Sequence, residues 1–178
     1  MKKKGKTNVI IYSVLGALFI VTVVLVILNQ GDRELRRALE ENREFMIKVD
    51  GRLIATVDLK TLLDLDPQEF STPFATSIAA PRETTLQGVE VRQLLDELGI
   101  DITHAATILV TGLDDYYSPL TRAEVDSEET IYICFSMDGE ILKPMSEGGY
   151  GPFLLVIRGS RFAQRWCKYV EAIDVITR

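Results

Sequence analysis

Histidine and cysteine, the side chains from which most enzyme and metal sites are built, are almost missing from this chain. One histidine, His104, and two cysteines, Cys134 and Cys167, stand in 178 residues. Structural zinc needs a full set of such ligands at short spacings, and these few are scattered. His104 follows the polar stretch Asp101-Ile-Thr and reads as a surface residue leading into a strand. No Gly-x-Ser-x-Gly elbow supplies a nucleophile for it to activate, and no Gly-x-x-x-x-Gly-Lys loop cradles a phosphate. Asp114-Asp115 and Glu128-Glu129 are adjacent carboxylates. On a strand such neighbours point to opposite faces, and on a loop they face water, so neither pair is arranged for acid–base work. Internal repeats and low-complexity tracts are also absent.

Basic charge is scarce where a nucleic-acid surface would need it. Lys2, Lys3, Lys4 and Lys6 precede every acidic residue, so the chain from Asp32 onward carries 16 basic against 26 acidic residues. A net charge of −10 over that stretch repels phosphate backbones, which excludes nucleic-acid binding as a function class.

What the sequence does have is a long apolar run. Residues 9–28 carry no charge, and at about 1.5 Å per residue a helix of this length reaches about 30 Å, the depth of a bilayer's hydrocarbon core. A cleaved signal peptide would have a shorter apolar region ending in small residues, whereas this run ends Val26-Ile-Leu-Asn-Gln-Gly. The expected organisation is a basic cytoplasmic tail (1–8), a transmembrane anchor (9–28), a charged helical stalk (29–44) and one domain (45–178). The lysine cluster beside the helix predicts a cytoplasmic N-terminus and an extracytoplasmic domain. Arg33, Arg36, Arg37 and Arg43 on the other flank match it in number, but they are interleaved with acids and set further from the run.

The remainder predicts an α+β, β-rich domain. Phe45-Met-Ile-Lys-Val, Asp50-Gly51 and Arg52-Leu-Ile-Ala-Thr-Val read as a hairpin on a tight turn, with Asp58 capping a short helix behind it. Strands are expected at 69–79, 84–87, 107–111, 116–120, 130–135, 140–142, 153–157 and 169–176. Val89, Val91, Leu94, Leu95 and Leu98 mark one face of a helix that Gly99 ends. A βαβ rhythm is missing, so a doubly wound sheet is not expected.

Two features carry the functional expectation. Cys134 and Cys167 could close a disulfide outside the cytoplasm, but both sit in apolar strand-like runs and read as buried free thiols. The stretch Ser146-Glu-Gly-Gly-Tyr-Gly-Pro-Phe offers glycine amides, and Arg158, Arg161, Arg165 and Lys168 concentrate positive charge after it. Gly148, Gly149, Tyr150, Arg158, Arg161 and Lys168, with Tyr116 and Tyr117 as walls, are the candidate site for a small anion. A plain turn followed by basics that balance local acids is the alternative.

Gly149-Tyr-Gly-Pro-Phe-Leu-Leu-Val-Ile and Trp166-Cys-Lys-Tyr-Val-Glu-Ala-Ile-Asp-Val resemble the C-terminal signature of the oxidoreductase molybdopterin-binding domain, the sulfite-oxidase-like fold. Leu86-Gln-Gly-Val-Glu-Val-Arg-Gln-Leu-Leu, Thr111-Gly-Leu-Asp-Asp-Tyr-Tyr and Ile133-Cys-Phe-Ser-Met-Asp-Gly-Glu-Ile-Leu resemble earlier segments of that family in order. The resemblance spans 45–178 and implies a β-rich mixed fold and, in active members, a pterin-bound molybdenum held by a cysteine thiolate. The matching stretch here, 70–87, has no cysteine. Leu154 stands where the family has an arginine, and Arg158 where it has a proline. These departures imply a non-catalytic, ligand-binding or accessory domain on that fold, with no catalytic residue, metal ligand or resident cofactor expected. Molybdopterin is the one cofactor to test, in a molybdopterin-dependent oxidoreductase. Besides the membrane, a membrane-protein partner is an expected contact, and a cell-envelope interaction module is the remaining alternative.

Overall fold

The computed structural model describes residues 3–28, 30–76, 79–159 and 163–177, with side chains undescribed at 3–10, 27–28, 30, 32, 75–76, 79–81 and 163. Two compact units result, Met1–Ala38 and Leu39–Arg178.

In the first unit, helix α1 runs Lys3–Leu28. The apolar side chains described along it face outward on every side, Tyr12 at 72% and Phe19 at 70% exposure among them. The Thr22 hydroxyl donates to the Leu18 carbonyl at 2.9 Å, so its polar group is satisfied within the helix. Among the described residues no helix is long and apolar enough to cross a membrane. Residues 9–10 and 27–28, the two ends of the apolar run, lie outside the described side chains. Helix α2, Gln30–Asn42, comes next and carries its last turn into the second unit.

Among the described residues the second unit has ten strands in two sheets. Strands β1 (Glu44–Val49) and β2 (Arg52–Asp58) form the expected hairpin. Asp50 and Gly51 both take positive φ, 49° and 77°, which the tight connection requires and which aspartate and glycine tolerate. Asp58 then caps α3 (Leu59–Leu63) by accepting from the Thr61 amide at 2.8 Å. The first sheet has the order β2-β1-β10-β5-β6, with β5 at Thr107–Gly112, β6 at Tyr117–Leu120 and β10 at Val170–Ile176. The second has the order β3-β4-β7-β8, with β9 also paired to β7. Its strands are β3 (Gln68–Thr76), β4 (Ala79–Glu90), β7 (Ile131–Met137), β8 (Glu140–Ile141) and β9 (Leu154–Ile157).

Both sheets and helix α4 (Val91–Glu97) feed one core. Phe45 and Ile47 of β1, Leu86 and Val89 of β4, Tyr132 and Phe135 of β7, Leu154 of β9, and Leu94 and Leu95 of α4 are all buried in it. The Phe45 and Phe153 rings meet edge-on with centroids 4.9 Å apart. Cys134 and Cys167 are free and buried in the same cluster, small apolar fillers as expected.

Two local expectations needed revision. The strands expected at 69–79 and 84–87 are one long hairpin, because β4 continues through Gly88 and Val89, expected on the helix, to Glu90 to pair with β7. A short helix α5 (Arg122–Val125) also forms, which hydrophobic periodicity could not show over so few residues. Its signal was chemical: Thr121 and Glu124 make a reciprocal capping box.

Gly88 is the tightest glycine of the second sheet. A Cβ there would lie 2.7 Å from the Cys134 Cα and 2.9 Å from the Ile133 carbonyl carbon, where the β4–β7 register shifts. Gly88→Ala is expected to cost about 1–3 kcal/mol through overpacking, read as a lower denaturant midpoint with unchanged m-value.

Candidate functional site

The glycine turn between β8 and β9 borders a concavity. Gly148 adopts φ 74°, closing the 3-10 turn Met145–Glu147. Gly149 lies so close to the Lys143 backbone that a Cβ would come within 2.5 Å of the Lys143 carbonyl carbon. Glycine is needed here for close approach of two chain segments. The amides are also committed: Gly148 donates to Met145, Gly149 to Pro144 and Gly151 to Lys143, at 2.8–3.0 Å. The ring of free amides expected for an anion is therefore closed on itself, since a turn this tight satisfies its own donors.

Beside the turn is a solvent-open depression of about 340 Å³, lined in part by Arg82, Asp138, Glu140, Lys143, Gly149 and Tyr150. Arg82 is held by Asp138 at 2.9 Å. Lys143 has no acidic partner among the described residues. Tyr150 forms one wall and carries the Lys168 ammonium 4.6 Å above its ring. Its other side meets Phe74 of β3 edge-on at 5.3 Å, and Phe74 stacks on Trp166 at 5.5 Å. The Trp166 indole donates to the Ile157 carbonyl at 3.2 Å, which fixes the stack against β9.

Of the expected site residues, the structure brings together Gly148, Gly149, Tyr150 and Lys168. Arg158 is elsewhere, its guanidinium 4.9 Å over the Phe70 ring and 3.4 Å from a Glu129 oxygen. Tyr116 donates its hydroxyl to the Gln164 carbonyl. Tyr117 projects outward from β6 at 57% exposure. Arg161 lies outside the described residues. Lys143 and Arg82 were missed because neither sits in a motif; they meet only through the β3–β4 and β7–β8 hairpins.

Arg165 is neutralised rather than offered to a ligand. Its guanidinium bonds Glu124 at 2.6 Å and the Pro119 carbonyl at 2.9 Å. The guanidinium pulls the Glu124 carboxyl down to about 2 against some desolvation, with Thr121 adding to the effect. Ser118 donates to the Arg165 carbonyl at 2.6 Å, so β6 and α5 together hold the segment that leads into Trp166.

A sequence model described as "Oxidoreductase molybdopterin binding domain" matches residues 43–178. The chain belongs to this family. No curated protein matches it. The fold is similar to the sulfane dehydrogenase SoxCD from Paracoccus pantotrophus, with TM-score 0.59 at 17% identity over 76% of this chain. That likeness covers 38% of the SoxCD chain, so this protein spans well under half of that relative.

Molybdopterin-family chemistry makes a clear demand on donors, and these residues do not meet it. A molybdenum-binding thiolate must be deprotonated and reachable. The β3–β4 hairpin contains no cysteine. Burial pushes the Cys134 thiol far above its usual range, and burial with the nearby Asp114 charge pushes Cys167 up to about 12. Both thiols stay protonated in the core. No group of three or more His, Cys, Asp or Glu among the described residues is arranged to hold a metal ion.

The Glu124–Arg165 pair gives a pH signature. Its folded-state carboxyl lies below the ordinary 4.5, so its stabilisation is complete above that value and fades as pH falls toward about 2. Glu124→Gln is expected to lower the urea midpoint at pH 7, with the gap to wild type closing across that acid window.

Proposed function

We propose that this chain is a membrane-tethered member of the molybdopterin-binding-domain family that binds a small ligand or a membrane-protein partner without thiolate–molybdenum chemistry. The observation that carries the reading is the state of the thiols. The hairpin matching the family's thiolate segment has none, and the two cysteines present are buried and protonated. Fold alone does not fix activity, because activity resides in the side chains placed on it. The depression beside the glycine turn is the ligand site on this reading. Lys143 supplies a charge without an acidic partner among the described residues, and Tyr150 an aromatic wall, which suits a small anion with a flat or apolar body. A molybdopterin-dependent oxidoreductase with a thiolate-free metal site is the second reading, favoured by the family match over 43–178.

The tether is supported by residues 9–28 and by the outward-facing Ile11, Leu15, Leu18, Phe19 and Leu25 on α1. In water such a surface is unfavourable by about 25 cal/mol per Å², whereas hydrocarbon removes that cost. The lysines at the N-terminus support a cytoplasmic tail and an extracytoplasmic domain in a single-pass cell-membrane protein.

Three measurements test this. Protein purified from its native host is expected to hold molybdenum far below one atom per chain. Stoichiometric molybdenum with a releasable pterin would establish the oxidoreductase reading instead. The chain is also expected to stay with membranes through alkaline carbonate extraction, and protease added outside intact cells is expected to digest the domain. Release by carbonate would remove the tether, and complete protection would reverse the sidedness.

A further inference from the structure

The last turn of α2 is bonded to the glycine turn that borders the depression. Leu39, 4% exposed, packs with Met46 of β1 and Ala172 of β10 in a small cluster of its own. The next residue, Glu40, accepts from the Ser146 amide at 2.9 Å, inside the 3-10 turn Met145–Glu147. The neighbouring amides serve the turn itself: Glu147 and Gly149 donate to Pro144, and Gly148 donates to Met145. Ser146 is thus the amide of this group whose partner comes from outside the turn. The far end of the turn is held by Tyr169. Its phenol is raised above the ordinary range by burial first, then by the charges of Asp114, Tyr150 and Glu40. The Tyr169 amide donates to the Tyr150 carbonyl at 3.1 Å. Tyr150 and Gly149 in turn line the depression.

We propose that the last turn of α2 is a latch on the glycine turn, seated by Leu39 and locked by the Glu40–Ser146 hydrogen bond. While it is seated, turn 144–150 keeps one shape, and so does the wall of the depression. A ligand that reshapes that wall must strain the latch, and anything that unseats the helix end must loosen the wall, because coupling between two sites is reciprocal. The biological use of such a latch rests on the proposed tether, since α2 directly follows the apolar run. The latch itself needs only the contacts within the second unit.

Hydrogen exchange on the full chain in detergent micelles tests it, read by mass spectrometry over peptides covering 142–151, β7 and β9. Glu40→Ala is expected to raise exchange across 146–149 by about tenfold or more while β7 and β9 hold wild-type protection. Glu40→Gln keeps an oxygen that accepts from Ser146 and is expected to stay within about threefold of wild type. Leu39→Ala unseats the helix by the apolar route and is expected to raise exchange in the same turn. Unchanged exchange across 146–149 in Glu40→Ala would overturn the latch. So would a rise spread equally over β7 and β9, or a Glu40→Gln variant as loose as Glu40→Ala. A chain that fails to partition with membranes would remove the tether and leave this result standing.

Discussion

Parallel pairing of β1 with β10 closes the domain, and the rest of the fold depends on it. The register Met46↔Ala172 to Val49↔Val175 joins residues from the two ends of the domain. Strand β10 then passes the closure to β5 through antiparallel pairing, and β5 passes it to β6. The turn of the first hairpin is tied to the same strand: the Asp50 amide donates to the Val175 carbonyl at 3.0 Å, and the Thr177 hydroxyl donates back to the Asp50 carboxylate at 2.7 Å. Contacts of such sequence separation cost loop-closure entropy before they return any stability. The burial that offsets it lies between the sheets, in the cluster where Phe45 and Ile47 meet the apolar side chains of β4, β7 and β9.

The same closure positions the region of functional interest. Segment 163–169 leads into β10, so fixing β10 fixes Trp166, Lys168 and Tyr169 as well. Trp166 reaches Ile157 on β9 and stacks on Phe74 from β3, which ties the second sheet to the first at this point. The glycine turn is then held from two sides, by Tyr169 through the Tyr150 carbonyl and by Glu40 through the Ser146 amide. Gly149 and Gly151 are there because the Lys143 backbone and the Leu142 Cβ leave no room for a side chain. Their amides are consumed in building the wall, and the exposed chemistry falls to Lys143 and Tyr150 beside it.

Charge in the domain is handled in a similar way. Arg158 and Arg165 looked in sequence like part of a basic concentration set in an acidic chain, whereas Arg82 stood out in no motif. Each is answered locally, by Glu129 and two aromatic faces, by Glu124 and the Pro119 carbonyl, and by Asp138. Arginine suits these partly buried sites because its planar fork serves a carboxylate and a carbonyl together. A guanidinium so engaged holds the fold's segments in place, and Arg165 does this for the stretch that precedes Trp166.

The sequence by itself determined the local elements. Asp50-Gly51 demanded positive φ, Asp58 had a free amide to cap, and alternating apolar residues drew their strands toward the core; each decision is settled within a few residues. The family was also legible, because its motifs are short, ordered segments that survive loss of the chemistry, and they match over 43–178. What only tertiary structure decided was which side chains meet. The β3–β4 and β7–β8 hairpins bring Arg82 to Asp138 and place Lys143 beside Tyr150, and no local spacing encodes those approaches. Glycines that looked like an amide cradle became close-packing positions, because the identity of a hydrogen-bond acceptor depends on what the chain lays against it. Periodicity and turn chemistry act over neighbours, while a site is made by residues far apart in the chain, and only their packing reveals it.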